Sequence, residues 1–181
     1  MRERFNVIVR PARIDDVPAL ARVLVDSWRA AYRELVPGSY LQGFNYEWRE
    51  ESFRESLATG AEETFVVQLD RDIAGFLTLG TARDPDLDSS RTGEIWGIYL
   101  SPGHWRRGVG KKLVWEAERV FKSRGYESAV LWVLERNEQA RRFFEAVGFN
   151  PEGETIEIDW GILLRAVRYV KNLESATHSI R

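Results

Sequence analysis

Trp105-Arg106-Arg107-Gly108-Val109-Gly110-Lys111 stands between a strand-like run, Glu94 to Leu100, and a helix-like run, Val109 to Arg124. A strand feeding a tight, basic Gly-x-Gly turn that opens a helix leaves backbone N–H groups unpaired at the positive end of the helix dipole. The turn is a candidate seat for phosphate: the two glycines let backbone approach an anion without Cβ interference, and Arg106, Arg107 and Lys111 add charge. Two other phosphate loops fail on spacing. Gly103 and Gly108 have the Walker separation, but Val109-Gly110 stands where Lys-Ser/Thr is required, and Leu113 occupies the place of a dinucleotide fingerprint's third glycine. A solvated basic turn is the competing reading of this segment.

A second stretch is Leu131-Trp132-Val133-Leu134-Glu135-Arg136-Asn137-Glu138-Gln139-Ala140-Arg141-Arg142-Phe143-Phe144-Glu145-Ala146-Val147-Gly148-Phe149. Together the two resemble the GCN5-related N-acetyltransferase (GNAT) superfamily, with its pyrophosphate loop Gln/Arg-x-x-Gly-x-Gly/Ala followed by strand-Asn-x-x-Ala-x-x-Phe-Tyr-x-x-x-Gly-Phe. The resemblance extends from about Val7 to Leu173 through Arg10-Pro11-Ala12, Asp15-Asp16 and Val167-Arg168-Tyr169. Two positions depart from the pattern. Trp105 replaces the usual Gln/Arg, and Phe144 replaces the Tyr often used as general acid.

At 181 residues, 44% hydrophobic and 30% charged, the chain has the length and composition of one globular domain, read as residues 1–173 with a polar tail at 174–181. No apolar run approaches the ~20 residues of a spanning helix, and Met1-Arg2-Glu3-Arg4 leads into a strand, so a cytoplasmic protein with no membrane partner is expected. The absence of cysteine excludes disulfides, thiolate zinc sites and an acyl-Cys intermediate. His104 and His178 are the only histidines, which argues against a catalytic triad and leads us to expect no metal. A net charge of −2 argues against nucleic-acid binding, although Arg106 to Lys112 is basic and Asp84 to Asp88 acidic.

Taken in order, Phe5 to Arg10 reads as a strand ending at Pro11, and Val17, Leu20, Ala21, Leu24, Trp28 and Ala31 recur at helical spacing after a cap at Asp15 or Asp16. Pro37-Gly38 precedes one aromatic-rich helical region from Tyr40 to about Gly60. Thr64 to Leu69 and Ile73 to Thr81 form a hairpin around Asp70-Arg71-Asp72. The period of two then puts Glu94, Trp96, Ile98 and Leu100 on one face of the following strand, where a carboxylate among apolar residues needs a reason. Ser128 to Leu134 reads as a strand covered on both faces, Asn137 caps a short helix that Gly148 terminates, and Phe149 to Asp159 pairs with Leu163 to Leu173 around Trp160-Gly161. Pattern alone gives an α/β domain with an anion loop at the carboxyl end of a strand.

The resemblance implies more: an α/β fold with a mixed central sheet in the order βααβββαβαββ, whose fourth and fifth strands splay to admit the pantetheine arm of acetyl-CoA. It implies pyrophosphate on Arg106, Arg107, Gly108, Val109, Gly110 and Lys111, pantetheine on the strand backbone at Ile98 and Leu100 with Asn137 opposite, and Phe144 beside the cofactor. Trp28, Tyr32, Tyr40 and Trp96 become candidate acceptor contacts, with plain core packing as the alternative. Glu94 has the spacing to Gly108 and Gly110 of the family's basic glutamate and is the candidate base, against a structural glutamate paired with an arginine. Tyr99 points away from Glu94 unless a bulge resets the alternation, so the acid is unassigned. The expected activity is direct acetyl transfer to a primary amine of a small molecule, with a leaning towards polyamines from Ser27-Trp28-Arg29-Ala30-Ala31-Tyr32-Arg33 and the acidic loop; a homodimer is an expectation by analogy. The alternatives are a non-catalytic acyl-CoA-binding module and, least favoured, a nucleic-acid-binding domain.

Overall fold

The computed structural model describes residues 6–60 and 62–173; the proposed tail and Phe5 lie outside them. Seven strands, β1 (Val7–Pro11), β2 (Glu63–Leu69), β3 (Asp72–Thr81), β4 (Thr92–Leu100), β5 (Ser128–Leu134), β6 (Asn150–Asp159) and β7 (Leu163–Asn172), form one sheet in the order β1-β2-β3-β4-β5-β7-β6. The helices are α1 (Val17–Tyr32), α2 (Gly38–Gln42), α3 (Tyr46–Thr59), α4 (Val109–Ser123) and α5 (Glu138–Ala146). The single helical region expected from Tyr40 to Gly60 is two helices. Asn45 breaks it by adopting extended backbone and accepting from the Trp48 amide, so that α3 starts afresh at Tyr46.

Strand alternation divides the core. Phe65, Val67, Leu77, Leu79, Leu131, Val133, Val167 and Tyr169 pack with α4 and α5 on one face, whereas Val66, Phe76, Leu134 and Ala166 pack with α1 and Phe53 of α3 on the other. β2, β3, β5 and β7 thus contribute to both layers, which is why β5 reads as nearly continuous apolar sequence. The α1 stripe is as read from its spacing, with Val17, Leu20, Ala21, Leu24 and Trp28 buried. Asp16 precedes that helix but sends its carboxylate elsewhere, accepting from the Arg10 guanidinium at 2.7 and 2.9 Å and from the Arg13 amide at 2.8 Å.

Two irregularities position the site. β4 and β5 run parallel but pair only at Thr92–Ser128, Gly93–Ala129 and Glu94–Val130, after which they part. On its other edge β4 shifts register against β3: Thr78 faces Gly97 and Leu79 faces Ile95, which leaves Trp96 without a partner. An extra residue of this kind resets the alternation of everything after it.

Candidate active site

The basic loop before α4 combines left-handed backbone with unpaired amides. Arg106 and Gly108 are both left-handed, with φ of 60° and 76°, and Gly108 caps α4 without any side-chain bond. No oxygen among the described residues accepts from the backbone amides of Arg106, Arg107 or Gly108. Those donors, with the open first turn of the 15-residue α4, face solvent with the exposed Arg106, Arg107 and Lys111 around them. A Cβ on Gly108 would meet nothing within 4 Å, so the space above it is free for a ligand. Gly108→Ala should cost about 1–2 kcal/mol of stability from the left-handed backbone; a lowered CoA affinity by calorimetry, larger than the thermal shift accounts for, would show that the Cβ also intrudes on the ligand.

Where β4 and β5 separate, a cavity of about 980 Å³ opens. Of the residues picked out in the sequence, Trp28, Tyr32, Trp96, Ile98, Leu100, Arg106, Asn137 and Phe144 line it; Arg107, Gly108, Val109, Gly110 and Lys111 do not, and Glu94 does not. The amide of Ser101 donates to Ala74 at 2.9 Å. Antiparallel alternation then turns the backbone groups of Tyr99 towards β3 and those of Ile98 and Leu100 into the gap. One of these is taken: the Trp105 indole N–H donates to the Leu100 carbonyl at 2.9 Å. The Leu100 amide and both groups of Ile98 are left to face the cavity. Asn137 caps α5 with its side-chain oxygen, which accepts from Ala140 at 3.1 Å, while also lining the cavity.

The expectation that Glu94 shares a face with Ile98 and Leu100 is corrected by the bulge at Trp96. Ile95, Ile98 and Leu100 all pack towards α4, and Tyr99 packs on the α1 side. Glu94 is 2% exposed, and both its oxygens are bound: Oε1 accepts from Arg83 Nη2 at 2.7 Å, and Oε2 accepts from the Arg83 amide at 2.9 Å and from Nε at 3.2 Å. Arg83 in turn lies over the Trp96 ring at 4.7 Å. The arginine-paired alternative is therefore the arrangement present.

The bulge also allows Tyr99 to fold back along its strand. A Cβ on Gly97 would meet Tyr99 Cε2 at 2.7 Å, so glycine is what lets the phenol lie flat there. Burial pushes the Tyr99 phenol above its ordinary 10.0, opposed by the Trp28 N–H and the Arg49 charge. Tyr32 is also raised, by burial and the nearby Tyr99, with Asn137 opposing. Both phenols are neutral O–H groups at pH 7. Although it influences Tyr99, the indole N–H of Trp28 makes no hydrogen bond of acceptable geometry, and Trp28 is only 8% exposed. An unsatisfied buried donor costs about 1–3 kcal/mol.

Around these groups stands an aromatic wall. Trp28 stacks on Phe44 at 4.2 Å, meets Tyr32 edge-on at 4.8 Å and Trp160 at 4.6 Å, and Trp160 stacks with Tyr40 at 5.9 Å. The acidic loop is not open to a cation at its inner end. Arg168, 4% exposed, donates to Asp84 at 3.1 Å, to Asp86 at 2.9 and 2.6 Å, and to Glu152. Asp84 additionally accepts from the Trp132 indole at 3.0 Å.

A family model described as the acetyltransferase (GNAT) family matches residues 25–149, spanning loop, splay and α5. The chain belongs to the GNAT family. The uncharacterized N-acetyltransferase YuaI of Bacillus subtilis is 32% identical over 147 residues, covering 81% of this chain and 80% of that protein. The spermidine N(1)-acetyltransferase of Thermoplasma acidophilum is 23% identical over 82% of this chain and 91% of its own length. The crystal structure of the PaiA N-acetyltransferase of Thermoplasma acidophilum in complex with coenzyme A superposes with a TM-score of 0.73 at 21% identity, covering 92% of this chain and 99% of that one.

This GNAT chain is thus an N-acetyltransferase on the expected mixed sheet, with one short helix more than the expected order. Several wall residues escaped the sequence reading. By pattern Trp160 reads only as a turn and Trp132 only as part of a buried strand, because nothing in periodicity says that either ring lines the gap. Arg168 reads only as part of the closing strand, and two of its three carboxylate partners lie 82 and 84 residues away. Among the described residues there is no group of three potential metal ligands, and no helix is long and apolar enough to cross a membrane.

Proposed function

We propose that this enzyme transfers the acetyl group of acetyl-CoA directly to the primary amine of a small molecule within a ternary complex. The observation that carries the reading is the coincidence of the open β4–β5 gap with unpaired loop amides at its mouth. The amides and charges from Arg106 to Lys111 would hold the pyrophosphate, and the free backbone groups of Ile98 and Leu100 would pair with the pantetheine as an added strand. Because Trp105 occupies the Leu100 carbonyl, that pairing would use the Leu100 amide and the two Ile98 groups. In transfer the amine nitrogen bonds to the acetyl carbon, the carbon–sulfur bond breaks, the amine proton leaves to solvent and the thiolate takes up a proton. Phe144, 5% exposed and without a hydroxyl, has no proton to give. Tyr99 supplies it in this reading, as a free phenol on the strand that carries the thioester.

Glu94 is a structural anchor in this scheme. It ties the start of the acidic loop to β4 through Arg83 and leaves the amine to be deprotonated by water. Thiol release from acetyl-CoA across a panel of amines tests the whole reading, and Glu94→Gln tests this part of it. The variant should keep kcat within about threefold, against the 10²- to 10⁴-fold loss that removal of a positioned base causes. Its stability should fall by about 1–3 kcal/mol, because an amide N–H would now meet the Arg83 donors. A large loss of kcat in a well-folded variant would return Glu94 to the role of base. A polyamine acceptor draws support from the spermidine-acetylating relative, but Asp84 and Asp86, the carboxylates it would need, are engaged by Arg168.

A further inference from the structure

The open loop before α4 stands on two feet, and both rest on Leu100. At the first, the His104 amide donates to the Ser101 carbonyl at 2.8 Å and the Trp105 amide to that of Pro102 at 3.3 Å. The Trp105 indole then reaches back to the Leu100 carbonyl at 2.9 Å. At the second, Val109 and Gly110 are buried, and a Cβ on Gly110 would stand 3.1 Å from Leu100 Cδ1. Between the feet, Arg106, Arg107 and Gly108 are exposed, and their amides have no acceptor among the described residues. Among those residues the indole bond is the one side-chain hydrogen bond made anywhere in 101–111.

Arg106 has a φ of 60°, a left-handed conformation that glycine adopts freely and a residue with a side chain resists. Such a residue keeps that conformation only where its surroundings impose it. The Arg106 side chain is exposed, so the constraint comes through the ends of the loop, and the end that adjoins it is Trp105. Resting on the acetyl-CoA reading, we propose that Trp105 is a positioning residue for the cofactor. Its indole bond to Leu100 fixes Arg106 in the left-handed conformation and so keeps the amides of residues 106–108 set for the pyrophosphate before the cofactor binds. A loop ordered in advance binds more tightly because the cost of ordering is removed from the binding step. The same bond accounts for the use, within the protein, of a backbone acceptor that faces the gap: pantetheine loses one partner on β4, and the pyrophosphate gains a fixed one.

The test is Trp105→Phe, which keeps a ring and removes the donor, and its readouts are binding measurements that need no acceptor. CoA affinity by calorimetry should weaken by about three- to tenfold, the range for one net hydrogen bond. Pantetheine, which has no pyrophosphate, separates this role from a general loss of structure: its affinity by NMR titration should stay within about twofold or improve, because the Leu100 carbonyl becomes free. A glycine at 106 then supplies the left-handed backbone without help from Trp105. The loss of CoA affinity caused by Trp105→Phe should persist in an Arg106→Ala background and shrink to within about twofold in Arg106→Gly, although both lack the charge. Unchanged CoA affinity in Trp105→Phe, an equal loss for pantetheine, or a loss as large with Arg106→Gly as with Arg106→Ala overturns the proposal. If the wild type binds no CoA, the acetyl-CoA reading itself fails. Trypsin cleavage after Arg106 and Arg107 still decides whether the bond holds the loop: Trp105→Phe should speed it by about threefold or more, and an unchanged rate overturns that part as well.

Discussion

Tyr99→Phe is expected to lower kcat by about 10²- to 10⁴-fold, the range for loss of a positioned proton donor. KM for acetyl-CoA should hardly move, because Tyr99 turns its backbone towards β3 and away from the gap. The substitution removes one oxygen and leaves the ring where it packs, against Phe76 at 5.3 Å and over Gly97. The pH profile provides a second readout. Burial holds the phenol protonated beyond its ordinary 10.0, so the acid stays competent through the whole neutral range and kcat should show no high-pH decline below that point. Steady-state kinetics of wild type and variant across pH would decide it. Activity of the variant within a few-fold of wild type would exclude Tyr99 and direct attention to Tyr32, the other phenol on the cavity wall.

Arg168→Leu is expected to be the most destabilising of the single changes considered. One buried guanidinium holds Asp84, Asp86 and Glu152, and its pKa is driven further above the arginine range chiefly by the bond to Asp86, against the opposing effect of burial. Removing it leaves three carboxylates facing one another, two of them only 22% and 27% exposed. Breaking a buried pair from one side costs about 3–5 kcal/mol, and partial solvation of these acids puts the expectation near the lower figure. For a chain of this size that is a fall in Tm of roughly 6–12 °C. The effect should reach the site as well. Trp132 lies opposite Arg168 across β5 and β7, under its guanidinium at 5.6 Å, and donates to the same Asp84. Thermal melts should therefore show the loss of stability, and a rise in acceptor KM at temperatures where the variant is folded should accompany it. An unchanged Tm would mean that the cluster is solvated and worth little.

Much of this enzyme follows from local pattern. The Gly108–Gly110 turn, the α1 stripe, the two hairpins with their turns, the doubly covered β5 and the Asn137 to Gly148 helix are each written in a few neighbouring residues, through capping, periodicity and backbone freedom. The open basic turn was legible for the same reason, since it needs only a strand, two glycines and a helix start. What the sequence could not determine is where side chains separated by many residues meet. A single unpaired residue, Trp96, inverts the facing of everything after it on β4, bringing Tyr99 to the α1 side and separating Glu94 from Ile98 and Leu100. Glu94 is bound by Arg83 because the β3–β4 connection folds back on its own strand, and Arg168 closes the acidic loop from another hairpin. The tertiary structure decided which charges are neutralised, which rings face the gap and which donors remain unpaired. Those facts depend on register and long-range packing, which residue spacing along the chain does not encode.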